Sequence, residues 1–273
     1  MSFLVLALVA LILRFSPWRH GFALDVPGWW VARMADASGL RPVWQALLLL
    51  FLPLMGAALL LWLVRGELYG LPTLVAHVLL FMLAVGRDDP LGVMAQPFEQ
   101  AWQRDDQEAA YHIARRDLGL DTEGPEQLLQ AVDARIALAT FRDYVVPVFW
   151  YLLLGPLAAL GYRLLEIHAR REGHAAQPAT ERMKHALEWL PARLFALSLA
   201  LVGDFERTLG VLRSWLLRWE EGADRVVAGC LQAALGTEQH TPEVVRILQP
   251  VRTLLTRSLL VWAVCIAFIS LLG

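Results

Sequence analysis

From Val43 to Val64 the chain carries 22 residues without a charge, bracketed by Arg41 and Arg65. As a helix that run is about 33 Å long, enough to cross a hydrocarbon core of roughly 30 Å. A short polar link, Gly66-Glu67-Leu68-Tyr69-Gly70, leads into a second apolar run, Leu71–Gly86, and a link that short makes the two an antiparallel hairpin. Tyr144–Tyr162 adds 19 uncharged residues closed by Arg163, and Ser258–Gly273 adds 16, entered at Arg257. These four runs are the main membrane segments. Of two shorter ones, Met1–Leu13 is expected to cross at an angle using later residues or only to dip in, and Leu194–Gly203 to pack inside the bundle or re-enter. Met1–Leu13 has no basic n-region and reads as a retained membrane segment, not a cleaved signal peptide.

The polar stretches between these runs keep a helical period. Arg87–Asp143 holds 12 acids and 6 arginines. It predicts one helix around Phe98, Trp102, Ala109 and Ile113, and another through Leu128, Leu129, Val132 and Ile136, opened by Pro125. Glu166–Trp189 is short and mixed. Phe205–Thr253 shows Leu209, Leu212, Leu216 and Trp219 at helical spacing, a break near Gly236, and a further helix opened by Thr241-Pro242. With no β alternation and no internal repeat, the reading is an all-α, polytopic helical membrane protein. It forms a single domain over 1–273, with polar helical insertions at about 87–143 and 205–253.

Composition agrees and excludes several classes of function. The apolar set makes up 57% of residues, only 18% are charged, and mean hydropathy is +0.48. Soluble domains carry about a quarter charged residues. This chain has too few to cover a water-facing surface, so a lipid bilayer is its expected partner. The net charge of −2 offers no basic field for nucleic acid. Lys184, the one lysine, follows Met183, so no ATP-binding P-loop exists. The sequence also lacks GxGxxG, GxSxG and HExxH, and Cys230 and Cys265 lie 35 positions apart. No cofactor and no metal are expected, and Cys265, inside an apolar run, reads as a small buried hydrophobe. If all six segments cross, sixteen cations fall on the side of Arg87–Asp143 and six on the other, which puts that region in the cytoplasm.

Three clusters carry the candidate chemistry. In Val85-Gly86-Arg87-Asp88-Asp89-Pro90, an arginine flanked by carboxylates can hold a small ligand or phosphate. The weightier alternative is a glycine helix cap, with Arg87 at the negative helix end and Pro90 preventing resumption. In Phe141-Arg142-Asp143-Tyr144 two charges stand at the mouth of a span. In Leu187-Glu188-Trp189-Leu190-Pro191-Ala192-Arg193-Leu194, Pro191 opens or kinks a helix, and Arg193 turns to the headgroups or the bundle interior. His77 lies inside an apolar run and is more readily a hydrogen-bonded packing residue than a proton relay. Arg257 reads as an interfacial anchor, as do Trp44, Trp62, Trp189 and Trp262.

Taken in order, these clusters resemble the CobD/CbiB family of cobalamin-biosynthesis membrane proteins. Val85-Gly86-Arg87-Asp88 is similar to its VGRD motif. Pro147-Val148-Phe149 with Gly155–Arg163 is similar to its proline- and glycine-rich span, and Leu187–Leu194 to its ANWIPARL. Within that superfamily the resemblance is nearer to the AmpE family. It lies in Met1–Leu6, Pro72-Thr73-Leu74, Phe141–Trp150, and Leu187-Glu188-Trp189 leading to Arg193. The synthase family's VAEN-type cluster is replaced here by Ile136-Ala137-Leu138-Ala139, and its NTLDSM by Glu166–Arg171.

The resemblance therefore implies a retained frame without the synthase chemistry. It implies a multi-pass inner-membrane regulatory or sensory protein linked to β-lactamase induction and muropeptide signalling. A cytoplasmic amidase or another regulatory protein is the implied partner. The residues that would bind ligand or partner are Arg87, Asp88, Arg142, Asp143, Trp189 and Arg193, none in a catalytic role. The alternative the resemblance carries is a membrane-bound amide-forming enzyme of the adenosylcobinamide-phosphate synthase type. A transporter, hinted at only by His77 and Leu194–Gly203, ranks last.

Overall fold

The computed structural model describes residues 2–15, 25–35, 42–65, 70–86, 89–122, 124–171, 177–236 and 247–272. Among these, all regular structure is helical. The helices are α1 (Ser2–Phe15), α2 (Val26–Ala35), α3 (Pro42–Leu63), α4 (Leu71–Ala84), α5 (Gln96–Gln103), α6 (Gln107–Ile113), α7 (Pro125–Thr140), α8 (Val146–Leu154), α9 (Pro156–Ala169), α10 (Gln177–Val202), α11 (Phe205–Trp215), α12 (Ala223–Leu235) and α13 (Gln249–Leu272). Among the described residues, three helical runs are long and apolar enough to cross a membrane: Pro125–Leu154, Gln177–Val202 and Gln249–Leu271. Phe3–Ile12, Leu48–Leu63 and Leu71–Ala84 are shorter apolar helices. The chain is a helical membrane protein.

It divides into two compact units. One comprises Met1–Arg87, Val146–Leu187 and the last two residues; the other comprises Asp88–Val145 and Glu188–Leu271. In the first, α9 is the central helix, packed against α8, α4, α3 and α2. Its Leu160 and Leu164 join Val31, Leu49, Ala57 and Leu80 in one apolar core. Gly161 of α9 faces Leu54 of α3, where a β-carbon would make ordinary van der Waals contact at 3.5 Å. The α3–α4 hairpin is closed by Thr73, whose hydroxyl donates to the Val64 carbonyl over 2.9 Å. His77 Nδ1 and the Tyr151 hydroxyl share a 3.2 Å hydrogen bond, as expected of a packing histidine.

In the second unit, α12 packs against both α7 and α11. Val226, Val227, Cys230, Leu231 and Ala234 fill its buried side. Phe141 and Phe195 stack at 5.8 Å. Arg252 of α13 donates to Glu99 of α5 over 2.7 Å and to the Gly92 carbonyl over 3.2 Å.

Prolines and glycines place several boundaries away from where hydropathy puts them. The uncharged run Tyr144–Tyr162 is not one span. Gly155 stands at φ 86°, ψ −171°, and Pro156 starts α9 afresh. Residues 144–154 instead continue the helix opened by Pro125, through a π-helical turn at Phe141–Val145. Pro147 lacks the N–H that an α-helix would offer the Asp143 carbonyl, and the wider turn lies just upstream.

Leu194–Gly203 is likewise not a separate short segment, because Leu194–Val202 completes the 26-residue α10. Pro191 sits inside that helix and does not open it. The Leu187 carbonyl, which Pro191 cannot serve, accepts the indole N–H of Trp150 at 3.2 Å.

Two helices expected to be continuous are interrupted. The Phe98–Ile113 helix splits at Asp105, whose φ is 58°, and Asp106 caps the second half by accepting from Ala109 N at 3.0 Å. The helix of Leu209 and Leu212 ends at Trp215, leaving Leu216 and Trp219 in a loop. Cys265, expected to be buried, is exposed on α13. The helix expected at Thr241-Pro242 lies outside the described residues.

Candidate functional site

The π turn at Phe141–Val145 directs Arg142 toward two acids from two other helices. Its guanidinium meets Glu188 of α10 at two points, Nε to Oε1 at 3.1 Å and Nη2 to Oε2 at 3.4 Å. Nη2 also donates to Asp224 in the first turn of α12. The acids differ in setting: the Glu188 side chain is 4% exposed and that of Asp224 63%. A two-point arginine–carboxylate pair is charge-assisted and fixed in geometry. Removing one partner of a buried pair leaves a charge stranded away from water, at a cost of about 3–5 kcal/mol. The exposed arm to Asp224 is worth roughly 0–1 kcal/mol. Glu188 therefore anchors Arg142, and Asp224 is the arm that can let go.

One turn along α10 stands Arg193, which serves only backbone carbonyls. It donates to Trp189 O over 2.9 Å, Leu216 O over 3.2 Å, Trp215 O over 3.3 Å, Arg218 O over 2.8 Å and Glu221 O over 3.2 Å. The carbonyls of Trp215 and Leu216 end α11, where the Trp215 carbonyl also accepts the Arg218 N–H over 3.2 Å, and the negative helix end favours a cation. Beneath the guanidinium lies the Trp189 ring, 4.2 Å from its central carbon. Trp189 stacks at 5.7 Å on Trp219, and its indole N–H donates to Arg218 O over 3.3 Å. Segment 215–224 is thus clasped at two points by α10 residues or their partner: Arg193 holds 215–221, and Arg142, itself held by Glu188, holds Asp224.

Of the residues singled out by sequence, Arg142, Trp189 and Arg193 come together here. Asp143, on the same π turn, is fully buried. Arg87 and Asp88 lie outside the described residues. Helix α4 ends at Ala84 with Val85 already extended, so it stops before Gly86. Sequence reasoning did not single out Glu188 or Asp224. Glu188 had one signal, its place beside Trp189 in the quoted motif. Asp224 had none, since 82 positions separate it from Arg142.

Over residues 2–273 the sequence matches the family model described as regulatory signalling modulator protein AmpE. It is similar to Protein AmpE of Shigella flexneri, with 25% identity over 202 residues, covering 68% of this chain and 70% of that one. No solved structure matches.

Proposed function

The chain belongs to the AmpE family, and from that premise we propose that it is a multi-pass inner-membrane regulator that adjusts β-lactamase induction to the state of cell-wall recycling. It acts by contact with a partner, a cytoplasmic amidase or another regulatory protein, and not by turnover of a substrate. The observation that carries the reading is family membership along the whole chain, in a family described as signalling modulators.

The geometry adds a place where a signal can be registered. Regulation needs two arrangements of similar free energy that a partner binds unequally. The Arg142 junction offers such a pair: joined to both acids, or to Glu188 alone with Asp224 released to water. The second state strands no buried charge, because Glu188 keeps its cation. The first turn of α12 around Asp224, held in one state and released in the other, is the surface that differs between the two.

The test is inducible β-lactamase activity in a strain lacking this chain, with and without the wild-type copy restored at its normal membrane level. Loss of normal induction on deletion and its recovery on complementation are expected. Induction unchanged by deletion would overturn the proposal.

A further inference from the structure

The loop after α11 combines two features that are opposed in ordinary surface loops. It is tightly held, with four of its carbonyls, from Trp215 to Glu221, engaged by Arg193. Yet it displays apolar side chains outward: Leu217 is 86% exposed, Trp219 55% and Leu216 43%. Single exposed leucines need no explanation, but a preorganised cluster of two leucines and a tryptophan points to something that covers it.

Two observations identify the cover. The first is continuity with an apolar stripe. On α10, Leu190, Leu194, Leu197 and Leu201 are all exposed, and their spacing of four, three and four places them on one face. That stripe runs about 17 Å along a helix long and apolar enough to cross a membrane. It begins one residue past Trp189, on which the loop rests. The loop therefore stands at the polar end of a lipid-facing stripe, at the level where bilayers give way to water. The second is charge. Arg213 in the last turn of α11 and Arg218 within the loop are both exposed. Of the loop's two acids, Glu221 is engaged by Arg225 over 2.7 Å, and Glu220 is exposed at the loop's end away from Arg213. Tryptophan and leucine flanked by arginine match the boundary between headgroups and acyl chains, with cations on anionic headgroups.

We propose that Trp215–Glu221 is a lipid anchor. It sets Leu216, Leu217 and Trp219 into the headgroup–acyl boundary of an anionic leaflet, with Arg213 and Arg218 against the phosphates. Arg193 and Trp189 preorganise the loop, so that insertion orders little further chain. The anchor goes beyond the regulatory reading and does not depend on it.

The experiment places a nitroxide at Leu217→Cys, and separately at Leu216→Cys, in the full chain with Cys230 and Cys265 replaced by alanine. The protein is reconstituted in lipid nanodiscs of phosphatidylcholine alone or mixed with phosphatidylglycerol. Collisions with oxygen, which concentrates in lipid, are compared with those of a water-soluble nickel chelate. The expected result is a severalfold excess of oxygen over nickel collisions at both positions, with deeper labels in the anionic discs. Arg193→Ala should bring the labels back toward water. Nickel access exceeding oxygen access would overturn the proposal by placing the loop in water. Low access to both agents would overturn it by showing a protein cover, a second copy included. Depth unaffected by anionic lipid would refute the role of Arg213 and Arg218.

Discussion

Arg142 and Glu188, 46 positions apart in sequence, meet at two points at 3.1 and 3.4 Å, with the carboxylate almost wholly out of water. Arg142→Ala should therefore destabilise the fold by about 3 kcal/mol, the lower end of the usual range because Arg142 itself keeps some contact with water. Arg142→Lys, which retains the charge and loses the fork, should cost less. A double-mutant cycle with Glu188→Gln, read by denaturant unfolding in detergent, should show strong non-additivity. Additive effects would mean that the two side chains do not depend on each other.

Arg193 engages four carbonyls between Trp215 and Glu221, a task for a planar five-donor fork that a lysine ammonium cannot reproduce. Arg193→Lys is expected to loosen this loop while α10 and α12 remain folded. Limited trypsin digestion, followed by mass spectrometry, checks this. Cleavage after Arg218 should be slow in the wild type and markedly faster in the variant, with the helical circular dichroism signal unchanged.

Most of the helical content is legible in the sequence, because lipid-facing and core-facing helices both need apolar residues at the helical period. The runs that became α3, α4 and the second half of α13 stand out for that reason, as does Pro125 at the start of α7. What hydropathy misses is a change of direction within an apolar run. Gly155-Pro156 breaks Tyr144–Tyr162 without any polar residue marking the break. The converse error occurs in α10. Charges at Glu188 and Arg193 look like the end of a span, yet both are satisfied inside the protein and the helix runs through them.

The site is legible in part for the same reason. Trp189 and Arg193 share one helical turn and declare each other. The acids of Arg142 come from other elements, and no local pattern announces such a partner.

Gly155 adopts a conformation open almost only to glycine, at φ 86° and ψ −171°. Gly155→Ala should lower stability by about 1–3 kcal/mol, even though no side-chain atom crowds the site. A fall in Tm in detergent, with no change in helical content, is the expected observation. An unchanged Tm would mean that α8 and α9 can join without this backbone geometry.

Burial in α12 pushes the Cys230 thiol up to about 12. Near neutral pH it stays protonated in the folded and unfolded chain alike, and it should resist maleimide there until the protein is denatured. Above pH 9 the unfolded chain ionises this thiol first and binds fewer protons than the folded one. Stability should therefore fall as pH rises from about 9 toward 12. Cys230→Ala should make this fall shallower, which denaturant unfolding across that pH range in a Cys265→Ala background would reveal.

The central claim is that the Arg142 junction carries the regulatory signal, and Asp224→Asn tests it most directly. The substitution removes the negative charge of the exposed arm and leaves Glu188 paired, so its effect on stability should stay within about 1 kcal/mol. Inducible β-lactamase activity is measured in a deletion strain carrying wild type or Asp224→Asn at equal membrane abundance. Altered induction by the variant, at unchanged level and Tm, is the predicted result. Induction indistinguishable from wild type would contradict the account.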